Sequence, residues 1–509
     1  MFAKISSAAV YGVDAFEVEI EVNVAGGNPA IIIVGLPDAA VKESRDRVVT
    51  AISNSGYRWP RGRTTINLAP ADIKKEGPSF DLPIALGMVA TGEDVDLPSL
   101  EQYAFVGELA LTGAVRAVKG VLPIAIEARR RKKKALFVPE FNAREAAIVK
   151  GLDVYGVTSL RETFEFLKGE RMLAPVKEDN FFDAHRRYDV DFADVKGQPH
   201  VKRAIGVAVA GGHNILMIGP PGSGKSMLAK RIPTIIPPMT LEEAIETTKI
   251  HSICGLLDPA HSFVTTRPFR SPHHTISDIG LLGGSTNPTP GEVSITHNGV
   301  LFLDELPEFK RSTLEVLRQP IEEGKVTISR AAGSMTFPSE FMLVSAMNPC
   351  PCGYFGDIKR ECRCSPNTVQ RYRQRISGPL LDRIDIHVEV PAVHYKDISS
   401  KAAGEASSEI RERVGKAREI QQKRFRAGAR TSCNARMTPK LLKANCSLDQ
   451  AGADLIKMAM TELNFSARAY DRILKVARTI ADLAGEENIQ AMHIGEAIQY
   501  RTLDRNLWM

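Results

Sequence analysis

Apolar side chains at Phe16, Val18, Ile20, Val22 and Val24 alternate with polar ones, the period-two pattern of a half-buried strand. Ile31 to Val34 is a short apolar run closed by Gly35, and strand-like and helix-like stretches alternate through residue 167. That alternation predicts an α/β domain over residues 1–170. Residues 171–191 are polar and charged and carry no periodicity, as a linker does. Between 192 and 393 the apolar runs Asn214–Ile218, Val300–Leu303, Phe341–Ala346 and Ile384–Val390 alternate with helical spacing, which predicts a parallel sheet covered by helices. From His394 to Met509 the spacing is helical and β-branched runs are almost absent, so residues 394–509 are expected to form a helical domain. No repeat of solenoid length occurs.

At roughly 100–200 residues per domain, 509 residues require several cores. Hydrophobic residues at 43% and charged residues at 25% exclude a disordered or collagen-like chain. No apolar run approaches the roughly 18 residues of a membrane helix. Acidic residues occupy the N-terminal stretch where a signal peptide would have its apolar core, so a cytoplasmic protein is expected. The formal charge of +6 is too small to mark the whole chain as a nucleic-acid binder, and any anionic partner must meet local patches. Seven cysteines, an odd number, fit a reducing compartment, and four of them cluster between Cys350 and Cys364.

Gly219, Pro220, Pro221, Gly222, Ser223, Gly224, Lys225 and Ser226 match the phosphate-loop pattern G-x-x-x-x-G-K-[ST] and follow an apolar strand candidate. Glycines let consecutive N–H groups face phosphates, and the following helix adds its positive end. Lys225 is expected to reach the β and γ phosphates of ATP and Ser226 to ligate Mg2+. The strand Val300–Leu303 delivers Asp304 and Glu305, the first suited to hold Mg2+ through water and the second to activate the attacking water. The bland alternative is a pair of acids capping a helix. Asn348 follows another apolar strand and could orient the same water, although an asparagine before proline is usually a turn residue.

Phosphate loop, acid pair, strand-end asparagine and later arginines, in that order, resemble an AAA+ ATPase. Arg270-Ser-Pro-His273-His274, Pro290-Gly-Glu and the stretch His297–Glu308 resemble its magnesium-chelatase-like branch. The chain from end to end resembles the ComM/YifB family. The resemblance implies that Arg383 is an arginine finger acting on a neighbouring subunit and that Arg468 is the sensor 2 arginine of a helical lid. It also implies a homohexameric ring acting on single-stranded or branched DNA, as a branch-migration helicase in the recombination of imported DNA. A chelatase-type motor remodelling a protein is the rival reading.

Lys75 to Asp81 (KEGPSFD) resembles the segment of Lon proteases that carries the nucleophilic serine of a Ser-Lys dyad, which raises a third reading, an ATP-dependent protease. Aligning Gly113 to Ile124 on the corresponding Lon segment puts Leu122 where the lysine belongs, with Lys119 three positions early. Phe80 and Asp81 replace small residues after Ser79. A Lon-like scaffold without catalysis is expected. The run Arg129, Arg130, Arg131, Lys132, Lys133 and Lys134 closes a helix candidate beginning near Val121, and reads either as a solvated helix end or, repeated around a ring, as a DNA contact.

Cys350-Pro-Cys352 and Cys362-Arg-Cys364 could hold one Zn2+ through four thiolates; C-x-C is tighter than the usual zinc-ribbon spacing, and reduced thiols in a loop are the alternative. Residues Ile276–Ile295 and Lys325–Pro338 read as hairpins inserted in the core, the second turning near Gly333. By resemblance they point into a ring pore, which makes Arg330 a candidate DNA contact.

Overall fold

The alternating stretch at residues 16–24 becomes the strand Asp14–Ala25, with Val18, Ile20 and Val22 fully buried. In the computed structural model it pairs antiparallel with Phe2–Tyr11 on one side and Arg63–Ala69 on the other. A seven-stranded mixed sheet results, in the order Ala30–Val34, Arg63–Ala69, Asp14–Ala25, Phe2–Tyr11, Tyr103–Phe105, Ala135–Pro139, Asp153–Val157. Its two faces bury different sets, as the two-residue period requires. Phe105 and Phe137 pack with helices Ala39–Asn54 and Asp81–Gly92, whereas Ala104, Leu136 and Val138 pack with helix Val121–Arg130.

The structure describes all residues except 61, 94–98, 178–187, 259–261, 285–287, 331–332, 358–359, 394–403, 426–431, 464 and 504–509. Much of the expected linker and the expected boundary at His394 therefore lie outside the described residues. Two compact units are present: Met1–His185 with Leu241–Thr265, and Arg186–Thr240 with Thr266–Met509. This differs from an uninterrupted core over 192–393, because helix Leu241–Cys254 belongs to the first unit. It is held there by polar bonds: Ser252 Oγ donates to the buried Glu145, the Gly120 N–H donates to the Ser252 carbonyl at 3.2 Å, and Lys249 pairs with Asp14.

The second unit is built on a parallel five-stranded sheet, ordered Phe269–Arg270, Val300–Leu303, Met342–Met347, Ile215–Ile218, Ile386–Glu389. Its three inner strands are buried at every position, which is why they read as continuous apolar runs. The two-residue edge strand Phe269–Arg270 is too short to leave such a run. Helices follow from Ser407 onward, among them Ala467–Ala484, which buries Ile473, Ala477, Ile480 and Ala481 along one face. The fold is thus mixed α/β, with an N-terminal mixed-sheet domain, a parallel five-stranded core and a C-terminal helical region. Among the described residues no helix is long and apolar enough to cross a membrane.

Lys325–Arg330 and Gly333–Pro338 form a hairpin whose two turn residues lie outside the described set. The first expected hairpin is different. Residues Asp278–Leu282 and Glu292–Ile295 are helical and flank a two-residue ladder, Gly283–Gly284 with Thr289–Pro290.

Candidate active site

Three neighbouring parallel strands end on the same edge of the sheet and release Gly219, Asp304 and Asn348, the position where open α/β sheets bind ligands. The phosphate loop turns through Gly222 and Gly224, at φ +76° and +92°, a region a side chain would resist, and feeds helix Lys225–Ile235. Lys225 is nearly buried, and its Nζ donates to the carbonyls of Gly219 (2.7 Å) and Pro220 (2.9 Å) and to Asn348 Oδ1 (3.2 Å). Burial pushes its pKa down, partly offset by Asp304. Ser226 Oγ donates to Asp304 Oδ2 at 2.6 Å. Residues 78 and 123 positions apart in sequence are thereby joined in one polar cluster.

Glu305 is more than half exposed and sits at φ +53°, uncommon for a side chain larger than asparagine. Its Oε2 lies 3.5 Å from His274 Nδ1, and the His274 ring packs against His273 at 4.1 Å between centroids. Sequence reasoning used the two histidines only as part of a resemblance; the structure puts His274 beside the carboxylate expected to activate water. Gln198 was also missed. At φ +53° it donates through Nε2 to the carbonyls of Ser223 (3.0 Å) and Pro391 (2.7 Å), pinning the loop to the core. No local pattern marks a single glutamine for that role.

Arg383, expected as the arginine finger, is buried in its own unit. It is 5% exposed, with its guanidinium paired to Glu322 Oε1 at 2.5 Å and donating to the Pro379 carbonyl at 2.5 Å. In this conformation its charge is spent inside its own chain. Arg468 is exposed in the first turn of helix Ala467–Ala484 and has no ion pair among the described residues. A cation there is disfavoured by the helix dipole, so the helix itself gains nothing from it. The helix is instead anchored by its neighbours: Arg472 pairs with the buried Asp385, and His213 lies 3.0 Å from Asp385 and 2.8 Å from Thr479. Burial by itself would raise the Asp385 pKa; Arg472 and His213 more than offset this and hold it well below the carboxylate range.

The four clustered cysteines do meet, with all Sγ atoms within 4.8 Å of one another and no disulfide among them. Within the hairpin, Arg330 is exposed and its guanidinium reaches over Gly284 of the neighbouring insert.

In the first unit, Leu122 is fully buried in the apolar cluster, so the position of the Lon lysine is core. Lys119 lies along Gly255 instead. Ser79 sits in the short turn Pro78–Phe80. The basic run is partly neutralised: Arg130 and Arg131 pair with Glu127, and Lys133 pairs with Glu17 at 2.7 Å. Burial would raise the pKa of Glu17, but its hydrogen bonds from Lys133 and Ser6 hold it below the usual range. Arg129, Lys132 and Lys134 stay exposed without an ion pair among the described residues.

The chain matches three families of the magnesium-chelatase subunit ChlI. Residues 191–398 match magnesium chelatase subunit ChlI, 20–142 match subunit ChlI of Mg-chelatase, and 404–501 match its C-terminal region. It is 44% identical to competence protein ComM of Haemophilus influenzae, over 99% of this chain and 98% of that protein. It is 42% identical to YifB of Escherichia coli, over 99% and 97%. A 158-residue stretch is 28% identical to the Lon protease of Chlamydia muridarum, covering 29% of this chain and 19% of that one.

Proposed function

The chain belongs to the ComM/YifB family of magnesium-chelatase-like AAA+ ATPases, and on that premise we propose that it is a homohexameric, ATP-driven DNA motor. The family implies ATP hydrolysis, and the cluster at the sheet edge suits it. The bonds Lys225 makes to loop carbonyls are ones a phosphate can replace, and Ser226 and Asp304 already stand together as a hydroxyl and carboxylate pair fit for Mg2+. Mg2+ held there would neutralise charge on the phosphates. Lys225 binds the β and γ phosphates, Glu305 takes the proton of the attacking water, and Asn348, bonded to Lys225, orients that water. His274 positions Glu305 in the resting state. Arg468 senses the bound nucleotide, and Arg383 serves as a finger only after its pair with Glu322 opens.

The choice of DNA is carried by one observation: identity to a protein named for competence runs over the full length, the N-terminal domain included. Arg129, Lys132 and Lys134 offer exposed cations, without an ion pair among the described residues, that six copies would multiply, and Arg330 would contact DNA inside the ring. The chelatase matches favour a second reading, a motor remodelling a protein. The Lon-like domain is read as a scaffold without peptidase chemistry. ATPase activity measured with single-stranded, duplex and four-way-junction DNA decides between the two motors. Stimulation by DNA is expected, and replacing Arg129, Lys132 and Lys134 together by Ala should weaken binding to all sequences alike and flatten its salt dependence by roughly one unit of slope per lost contact. Turnover indifferent to every DNA would leave the protein-remodelling motor.

A further inference from the structure

Cys350 begins two residues after Asn348, and its side chain is wholly buried. Its Sγ lies 3.3 Å from that of Cys352 and 3.7 Å from that of Cys362, and Cys352 and Cys362 are 3.6 Å apart. Four thiolates placed tetrahedrally about 2.3 Å from one Zn2+ are necessarily about 3.8 Å from each other, so these spacings suit a single ion. A two-iron cluster ties its cysteine pairs to separate metal atoms and needs them spread farther. The sulfurs are also met by backbone donors: the Phe355 N–H faces Cys350, and those of Tyr354 and Arg363 face Cys352, while the Gly353 N–H closes the turn on the Cys350 carbonyl at 3.0 Å. Such donors stabilise thiolates around a metal. Arg373, largely buried with its guanidinium over the Phe355 ring, donates to the Pro349 carbonyl at 3.2 Å and brings a cation beside this anionic group.

The cysteine loop also touches the nucleotide site. A Cβ on Gly353, which sits at φ +86° inside the loop, would fall 2.6 Å from Cδ of Pro221 in the phosphate loop. Gly353 is therefore pressed against the loop that must wrap the phosphates, while Asn348 at the other end of the cysteine segment bonds Lys225. We propose that Cys350, Cys352, Cys362 and Cys364 bind one zinc ion, and that this clip braces the phosphate loop through Gly353 against Pro221. The bracing rests on the nucleotide-site reading; the metal site does not.

The test uses the full chain purified without chelator. Metal analysis should find a single zinc per chain, and cobalt(II) in its place should give the intense visible absorption of a tetrahedral thiolate site. Cys352→Ser should lose the metal. Gly353→Ala keeps all four thiols and should retain zinc, yet bind ATP about tenfold more weakly, because the added methyl group must displace Pro221. Wild-type protein with iron or no metal overturns the zinc assignment. Wild-type ATP affinity in Gly353→Ala protein overturns the brace, and zinc-loaded wild type that binds no ATP overturns the nucleotide-site reading together with it.

Discussion

The turn at Gly219–Ser226 and the turn at Lys75–Asp81 each lead into a helix, and each matches a motif that carries chemistry in related proteins, yet their polar groups are satisfied in opposite ways. At the phosphate loop, Lys225 is bonded to loop carbonyls and to Asn348, and Ser226 to Asp304, partners that a phosphate or a cation can replace. At the Lon-like turn, Asp81 is fully buried and grips Arg47 through two hydrogen bonds of 2.6 and 3.1 Å while accepting the Leu109 N–H. Phe80 is buried beside it. Lys75 is fully buried with its amine on the Ile73 carbonyl, and burial pushes its pKa down. The first set can exchange partners with a ligand; the second is committed to holding the fold. A motif locates such a turn, but the partners of its side chains decide what it can do.

The largest effects should come from the exchangeable set. Lys225→Ala should abolish ATP binding, whereas Glu305→Gln should bind ATP and turn over at least about a hundredfold more slowly, the scale of a lost general base. Nucleotide binding by calorimetry and phosphate release separate the two. Wild-type turnover in Glu305→Gln protein would remove the base from the site and blur the contrast between the turns.

Next in size is a committed group in the ATPase unit itself. Asp385, held by Arg472 and His213, should cost about 3 kcal/mol of stability when changed to Asn, because the partly buried Arg472 guanidinium loses its counter-charge and the buried bonds to His213 are disturbed. Its folded pKa lies below the unfolded value of about 3.9, so its stabilisation is present above that value and fades as pH falls beneath it. Denaturant melts should show the gap between wild type and Asp385→Asn narrowing below about pH 4. A gap constant down to pH 2 would mean that the carboxylate is not held by these partners.

Sequence legibility followed the range of the interaction. Inner strands buried on both faces announce themselves as apolar runs, and the phosphate loop is eight consecutive residues, so both were readable. The four cysteines were readable as a cluster because one short segment carries them all. Asp385 with His213 spans 172 positions and His274 with Glu305 joins two separate segments, and neither leaves a local pattern. Helix Leu241–Cys254 was assigned to the core by sequence order alone; Ser252 on Glu145 and Lys249 on Asp14 tie it to the other unit. Arg383 illustrates the converse: a motif gives its place in the chain, but its burial against Glu322 depends on a helix some sixty residues earlier.

The smallest expected effect is at Ser79, and a null result there is informative because the neighbouring groups leave the hydroxyl so little to do. A Ser-Lys dyad requires an amine within hydrogen-bond reach of the hydroxyl. The lysine's place is taken by Leu122, whose side chain lies in the core and whose N–H donates to Glu145 at 2.8 Å, so moving a lysine into it would bury a charge. Lys75, four residues before Ser79, has its amine on the Ile73 carbonyl. Ser79→Ala should therefore change stability by no more than about 0.5 kcal/mol, the usual range for a substitution that disturbs no buried network. It should leave ATPase activity at the wild-type level. Casein and fluorogenic peptide assays with ATP should show no cleavage by either protein. ATP-stimulated cleavage that disappears in Ser79→Ala protein would show that an amine does reach the hydroxyl during turnover, and the two turns would then have to be regarded as two working sites.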